Sequence, residues 1–122
     1  MSDDLFADRV AKVRQRFMST LEAKIDETSA ALPNLGGVVP PGGAAAAVAE
    51  AYLRIHGIIG IGRTVGFPAI GRAAHDVEDV LRVPYQSGRG LTADEISLLK
   101  DSLQALRTVA ARELQSFHSS TQ

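Results

Sequence analysis

Apolar residues recur along most of the chain at steps of three and four, the spacing that places side chains on one face of an α-helix. The first stripe of this kind predicts a helix over residues 3–31, and its members are Phe6, Val10, Val13, Phe17, Leu21 and Ile25. The glycine- and proline-rich stretch over 34–43 cannot continue that helix. The next apolar region begins with an alanine run and predicts a second helix over 44–64, which Gly66 ends.

The second half of the chain predicts two further helices. Pro68 stands where a first-turn proline belongs and opens a third helix over 67–82, and Pro84 lies in the loop that follows. A capping box that begins at Thr92 opens a fourth helix over 92–118. Mostly short connections between the helices predict an all-α fold, an antiparallel four-helix bundle.

Composition adds limits to this prediction. The chain of 122 residues is long enough for one modest core, so we expect a single domain over 1–122. Its formal net charge of -1 gives no reason to expect nucleic acid or an acidic membrane as partner, and the absence of cysteine excludes disulfides and thiolate metal sites. Glu50, Arg54 and His56 interrupt the longest apolar region, which argues against a transmembrane span. We therefore expect a cytoplasmic monomer.

The second helix carries His56 beside glycines that weaken a helix. Gly60 and Gly62 each cost about 1 kcal/mol relative to alanine, so a reason for them is expected. A helical wheel places Gly62 on the core face with Ile55 and Ile58, where it would let a neighbouring helix approach. His56 lies off that face, and Gly60, one turn later, would leave the imidazole open to a large partner. The spacing alone leaves open that His56 is an ordinary boundary histidine.

This segment resembles the signature of histidine-containing phosphotransfer (HPt) domains. In that family a hydrophobic residue, lysine and glycine follow the histidine by two, three and four positions, and a glycine and a hydrophobic residue follow it by ten and fourteen. The matching residues here are His56, Ile58, Gly60, Gly66 and Ile70, with Ile59 in place of the lysine. The resemblance is closest to the phosphotransfer domains of chemotaxis histidine kinases, whose next helix has a second histidine and a glutamate where this chain has His75 and Glu78.

The resemblance implies a phosphocarrier in a two-component phosphorelay, with His56 as the phosphoacceptor. Phosphoryl transfer needs a magnesium ion and carboxylates that manage the charge. The sequence offers no acidic cluster suited to that ion, so we expect no metal or cofactor in the chain itself. A histidine kinase or the receiver domain of a response regulator would supply the catalytic groups, and the chain would not be an enzyme in its own right.

The resemblance also implies roles for neighbours of His56. Glu78 is expected to accept a hydrogen bond from the non-reacting ring nitrogen, which fixes the tautomer, and His75 is expected as a secondary hydrogen-bonding neighbour. Either could instead be an ordinary surface residue. Position 59 is expected on the exposed side of the helix, at the border of the core, where Ile59 cannot neutralise a phosphoryl group. Arg63, two turns after the histidine, is a possible replacement cation.

Three other interpretations fit parts of the sequence. The segment Gly57–Thr64 resembles a Walker A loop with arginine for lysine, although a helical run precedes it where a P-loop needs a strand. His75 and Glu78 could form half of a di-metal site, although Glu50 is the only acid inside the second helix and no second Glu/His pair exists. The main rival is a non-phosphorylated interaction module of the same fold, which Ile59 favours.

Overall fold

The structure, a computed structural model, describes the backbone of residues 2–36, 43–64 and 66–120, and their side chains except at 2–4, 63, 64, 114 and 116–120. Its four helices are α1 (Ser2–Ala31), α2 (Gly43–Thr64), α3 (Pro68–Ser87) and α4 (Ala93–Ser120), with a 3-10 turn at Leu32–Asn34. The predicted all-α four-helix bundle is confirmed. The bounds of α1, α2 and α4 lie within two residues of those predicted.

Helices α2 and α3 pack antiparallel through the middle of the bundle. Tyr52 meets Tyr85 at one end of the pair, and Gly62 meets the first turn of α3 at the other. A Cβ at Gly62 would lie 3.8 Å from the nitrogen of Gly71, an ordinary contact distance, so the helices approach closely there without requiring glycine. The largest fully buried apolar side chains come from every helix and from the first interhelical segment: Leu21, Ile25, Leu35, Ile55, Ile70, Leu81, Leu99 and Leu106.

The turn between α2 and α3 explains the glycine at position 66. Gly66 has a φ of 88°, in the left-handed region that residues with a Cβ rarely adopt. A Cβ there would also lie 2.8 Å from Nη2 of Arg14. After this reversal the amide of Phe67 donates to the carbonyl of Gly62 at 2.9 Å, which closes the end of α2.

Helix α3 is longer than predicted, and the expected end at residue 82 is wrong. The helix continues through Pro84 to Ser87. Proline cannot donate the helical hydrogen bond, which is why a helix end was expected before it. Pro84 is nevertheless buried within α3, and its carbonyl accepts from the amide of Arg89 at 3.1 Å. Gly88, with a φ of 65°, then ends the helix in the left-handed conformation typical of a helix C-terminus.

The apolar stripe of α1 is buried only in its second half. Phe17 is 5% exposed and stacks on Phe67 with ring centroids 5.7 Å apart, whereas Phe6 is 70% and Val13 50% exposed. Helix α1 has 30 residues against 20 in α3. Because an α-helix rises about 1.5 Å per residue, α1 is longer than α3, and its first turns extend past the end of the bundle at which Phe17 packs.

Among the described helices, the Gly43–Gly62 part of α2 alone is long and apolar enough to cross a membrane, judged by length and composition. The core helix of a bundle meets the same criterion, because its buried face is apolar. Here Ala51, Ile55 and Ile58 are buried among the other helices. The apolar character of α2 therefore has an explanation within the fold.

Candidate functional site

His56 lies in an exposed stripe along α2. This His56 stripe consists of Leu53, His56, Gly57, Gly60 and Ile61, which all lie on the solvent-exposed side of the helix. The side chain of His56 is 64% exposed. A Cβ at Gly57 or Gly60 would meet no described atom within 4 Å, so the helix surface beside the imidazole is open. The open surface at Gly60 was predicted from the sequence, and that at Gly57 was not, although Gly57 lies one helical turn after the exposed Leu53.

The structure brings His56 and Glu78 together across the α2–α3 seam. Nδ1 of His56 lies 2.7 Å from Oε2 of Glu78, and the glutamate side chain is only 7% exposed. An ionised carboxylate can only accept, so Nδ1 carries the proton in this hydrogen bond. In the neutral imidazole the second ring nitrogen, Nε2, then keeps its lone pair.

Glu78 has a second partner that the sequence analysis missed. Nη2 of Arg82 donates to Oε1 of Glu78 at 3.0 Å, while Nη1 of the same guanidinium lies 2.7 Å from Oδ1 of Asp79. Burial by itself raises the pKa of Glu78, but the hydrogen bonds and charges of His56 and Arg82 outweigh it, and the pKa is lowered. Glu78 is therefore ionised at neutral pH. The four-residue spacing from Glu78 to Arg82 was the available sequence signal.

His75 lies beside the pair but not in the place expected for it. Its Nδ1 pairs with Oδ2 of Asp79 at 3.4 Å, and its side chain is 47% exposed. Asp79 lies one turn after His75 on α3, and Arg82 rather than His75 is the second partner of Glu78. The structure thus joins His56, Glu78 and Arg82, and the secondary role predicted for His75 is corrected.

The two enzyme-like interpretations do not match this geometry. Gly57–Thr64 lies inside the continuous helix α2, so the P-loop interpretation is wrong. Both oxygens of Glu78 are engaged by His56 and Arg82, which does not fit half of a di-metal site.

One cluster in the described chain could place three ligand atoms near a cation. These atoms belong to His75, Asp76 and Asp79 and lie within 4.8 Å of one another. Arg82 already binds one oxygen of Asp79 at 2.7 Å, so a cation would have to compete with a guanidinium.

A family model of the Hpt domain matches residues 12–109, which include His56, Glu78 and Arg82. The chain belongs to the Hpt domain family. Hpt domains take part in histidine phosphotransfer in two-component signalling and interact with receiver domains and kinases. They are phosphocarriers rather than enzymes with a catalytic site of their own. Comparisons with curated proteins and with solved structures gave no match.

This Hpt domain has no lysine three residues after the histidine, and the position itself is not where we expected it. Ile59 is 8% exposed and belongs to the core. Helix α2 packs against both α1 and α3, so its buried face is wide enough to include Ile58 and Ile59 together. The side chain of Arg63, the predicted replacement cation, lies outside the described residues.

We expect Ile59→Lys to destabilise the Hpt domain by about 2–3 kcal/mol, because it removes a buried apolar side chain. A lysine that extends its amine to solvent would recover part of this cost. Ile61→Lys on the same helix is the matched control, since Ile61 is 51% exposed, and it should change stability by less than about 0.5 kcal/mol. Urea unfolding measures both variants. Equal stability of the two would show that Ile59 does not belong to the core.

Proposed function

We propose that His56 accepts a phosphoryl group on Nε2 from a kinase or a receiver-domain aspartate and passes it to another receiver domain. The observation that carries the proposal is the 2.7 Å contact between Nδ1 and the buried carboxylate of Glu78, which leaves the other nitrogen as the nucleophile. The open surface at Gly57 and Gly60 supports it, because a protein-sized donor needs to come within bonding distance of the imidazole.

The proposed transfer needs no proton to leave the ring. The lone pair of Nε2 forms a bond to phosphorus while the bond from phosphorus to the aspartate oxygen breaks, and the aspartate leaves as a carboxylate. The proton on Nδ1 stays, so the phosphorylated ring is cationic and Glu78 stabilises it. Delivery to a second receiver is the reverse reaction. We expect the magnesium ion and the carboxylates around it to come from the partner.

The direct test is incubation of the chain with a receiver domain phosphorylated on its aspartate. We expect an acid-labile, base-stable phosphate that maps to His56 by peptide mass spectrometry. Binding of the receiver without any phosphate transfer would instead support the non-phosphorylated interaction module. The absence of the family lysine, with a buried isoleucine at position 59, is the observation that favours this second candidate.

The His56 stripe is also the surface that we propose for the receiver domain. Leu53 and Ile61 are 59% and 51% exposed, and they border the exposed surface of α2 that carries the reacting imidazole. A receiver that delivers phosphate to His56 would come close to Leu53, which lies three residues before His56 on the helix. The glycines between Leu53 and Ile61 would keep the contact flat and close.

We expect Leu53→Ala to slow phosphoryl transfer from a receiver by about 5- to 10-fold, the loss typical of an apolar interface contact that contributes about 1–1.4 kcal/mol. Leu98→Ala is the matched control, because Leu98 is equally exposed, at 57%, but lies on α4. Stopped-flow or quench-flow transfer assays compare the two. Equal rates would show that the receiver docks elsewhere.

Five further expectations stay predictions: the single domain over 1–122, the cytoplasmic location, the monomeric state, the absence of a nucleic-acid or membrane partner, and the particular closeness to chemotaxis kinases.

A further inference from the structure

The imidazole of His56 has an aromatic neighbour that its hydrogen bond to Glu78 does not explain. The ring of Tyr52, one helical turn earlier on α2, stacks on it with centroids 5.9 Å apart and planes 14° apart. Tyr85 of α3 stacks in turn on Tyr52, with centroids 4.2 Å apart and planes 10° apart. Tyr85, Tyr52 and His56 together form an aromatic column along the α2–α3 seam.

The column depends on the part of α3 that the sequence did not predict. Tyr85 lies in the last turn of α3, which exists because the helix continues through the buried Pro84 and ends at Gly88. Tyr52 is half-buried, so its ring is held between α2 and α3, whereas the imidazole at the end of the column is mostly exposed. An exposed histidine on a helix ordinarily samples several rotamers.

We propose that Tyr52, supported by Tyr85, is a positioning residue for phosphoryl transfer at His56. Stacking holds the imidazole parallel to Tyr52, and in this orientation Nδ1 meets Glu78. Rotation of the ring out of the stack would break that hydrogen bond and turn Nε2 away from its position. After transfer the ring is cationic, and a tyrosine face favours a cation stacked on it. This inference rests on the proposed function, since it assigns a role within the same site.

Three variants test the column, with Tyr52→Leu as the main one. Leucine keeps apolar volume but removes the ring, Tyr52→Phe keeps the ring and removes the hydroxyl, and Tyr85→Leu removes the support. Phosphoramidate is the donor, because a small molecule does not need the docking surface of a receiver. Its bond from phosphorus to nitrogen breaks and ammonia leaves as the bond to Nε2 forms. Thermal unfolding verifies that each variant is folded.

We expect Tyr52→Leu to slow phosphorylation by phosphoramidate by about 3- to 10-fold, the factor that corresponds to one stacked aromatic pair. Tyr52→Phe should stay within about two-fold of the parent, because the ring rather than the hydroxyl does the positioning. Tyr85→Leu should lie between them. A Tyr52→Leu rate equal to that of the parent would overturn the proposal, as would a Tyr52→Phe rate as low as that of Tyr52→Leu.

NMR separates the positioning role from the proposed function. In the parent and in Tyr52→Phe, the ring protons of His56 should be shifted upfield by the stacked aromatic ring, and the Nδ1 proton should appear far downfield because of its bond to Glu78. Both signatures should be lost in Tyr52→Leu. A parent chain that accepts no phosphate would overturn the proposed function, and these spectra would still decide whether Tyr52 positions the imidazole. Unchanged spectra in Tyr52→Leu would overturn the positioning role.

Discussion

His56→Gln is expected to accept no phosphate from any donor while it stays folded. The side chain of His56 is 64% exposed, so its replacement removes little buried surface. Glutamine can still donate to Glu78, and Arg82 keeps the second carboxylate oxygen satisfied. We therefore expect the free energy of unfolding to change by less than about 1 kcal/mol. Labelling by a phosphorylated receiver and by phosphoramidate, followed by mass spectrometry, measures the loss.

His75 is the instructive control for this experiment, because it too is a half-exposed histidine with a carboxylate at Nδ1. Its partner differs from that of His56. Asp79 is 44% exposed and lies 3.4 Å away, whereas Glu78 is 7% exposed and lies 2.7 Å away. An exposed, longer pair fixes a tautomer less firmly, so we expect a variant with both His75→Gln and His118→Gln to be labelled fully. Full labelling of His56→Gln instead would overturn the assignment of the acceptor.

The helices and the main pair of the site could be predicted from the sequence because each leaves a periodic signal. Apolar spacing located α1, α2 and α4, and the wheel of α2 separated buried Ile55 from exposed His56 correctly. The family spacing then pointed to Glu78 on the next helix, and the structure places it at hydrogen-bond distance. These features depend on residues close in sequence, or on a spacing that a known family repeats.

Features that depend on tertiary packing could not be predicted in the same way. Pro84 signals a helix end by local chemistry, but its burial stabilises a further turn of α3. On the helical wheel of α2, Ile59 lies near the edge of the core face. It is buried because α2 packs against two helices, α1 and α3, rather than one. The stacking of Tyr52 on Tyr85 joins residues on different helices, and it requires the turn of α3 after Pro84.

Glu78→Gln is expected to slow phosphorylation of His56 by about 10- to 100-fold, which corresponds to the loss of a hydrogen bond to a charged group. The reason is the direction of the hydrogen bonds. Arg82 can only donate, so the amide oxygen of the glutamine would face Arg82 and its NH2 group would face Nδ1 of His56. Nδ1 would then have to accept, and the proton would move to Nε2, the nitrogen that attacks phosphorus.

The directions of the hydrogen bonds at Glu78 predict an unusual order of variants. Glu78→Ala leaves neither a carboxylate that accepts from Nδ1 nor an amide that donates to it, and so imposes no tautomer on His56. It should therefore be less stable than Glu78→Gln and yet accept phosphate faster. Long-range 15N NMR of the imidazole reports the tautomer directly, and Asp79→Asn is the control, because it removes the other carboxylate on Arg82 without changing the partner of His56. Its rate should stay within about two-fold of the parent.

Stability provides a second measurement on Glu78→Gln. Because Glu78 is buried and accepts two hydrogen bonds, the variant should lose on the order of 1–3 kcal/mol at neutral pH. The pKa of Glu78 is lowered in the folded protein, so the parent's advantage is present above the unfolded value of 4.5 and is lost as the pH falls through the folded value. Urea unfolding should show that the difference in stability between the parent and Glu78→Gln is smaller at acid pH than at pH 7. A Glu78→Gln variant that keeps the parent's tautomer, rate and stability would show that Glu78 does not orient His56 in solution.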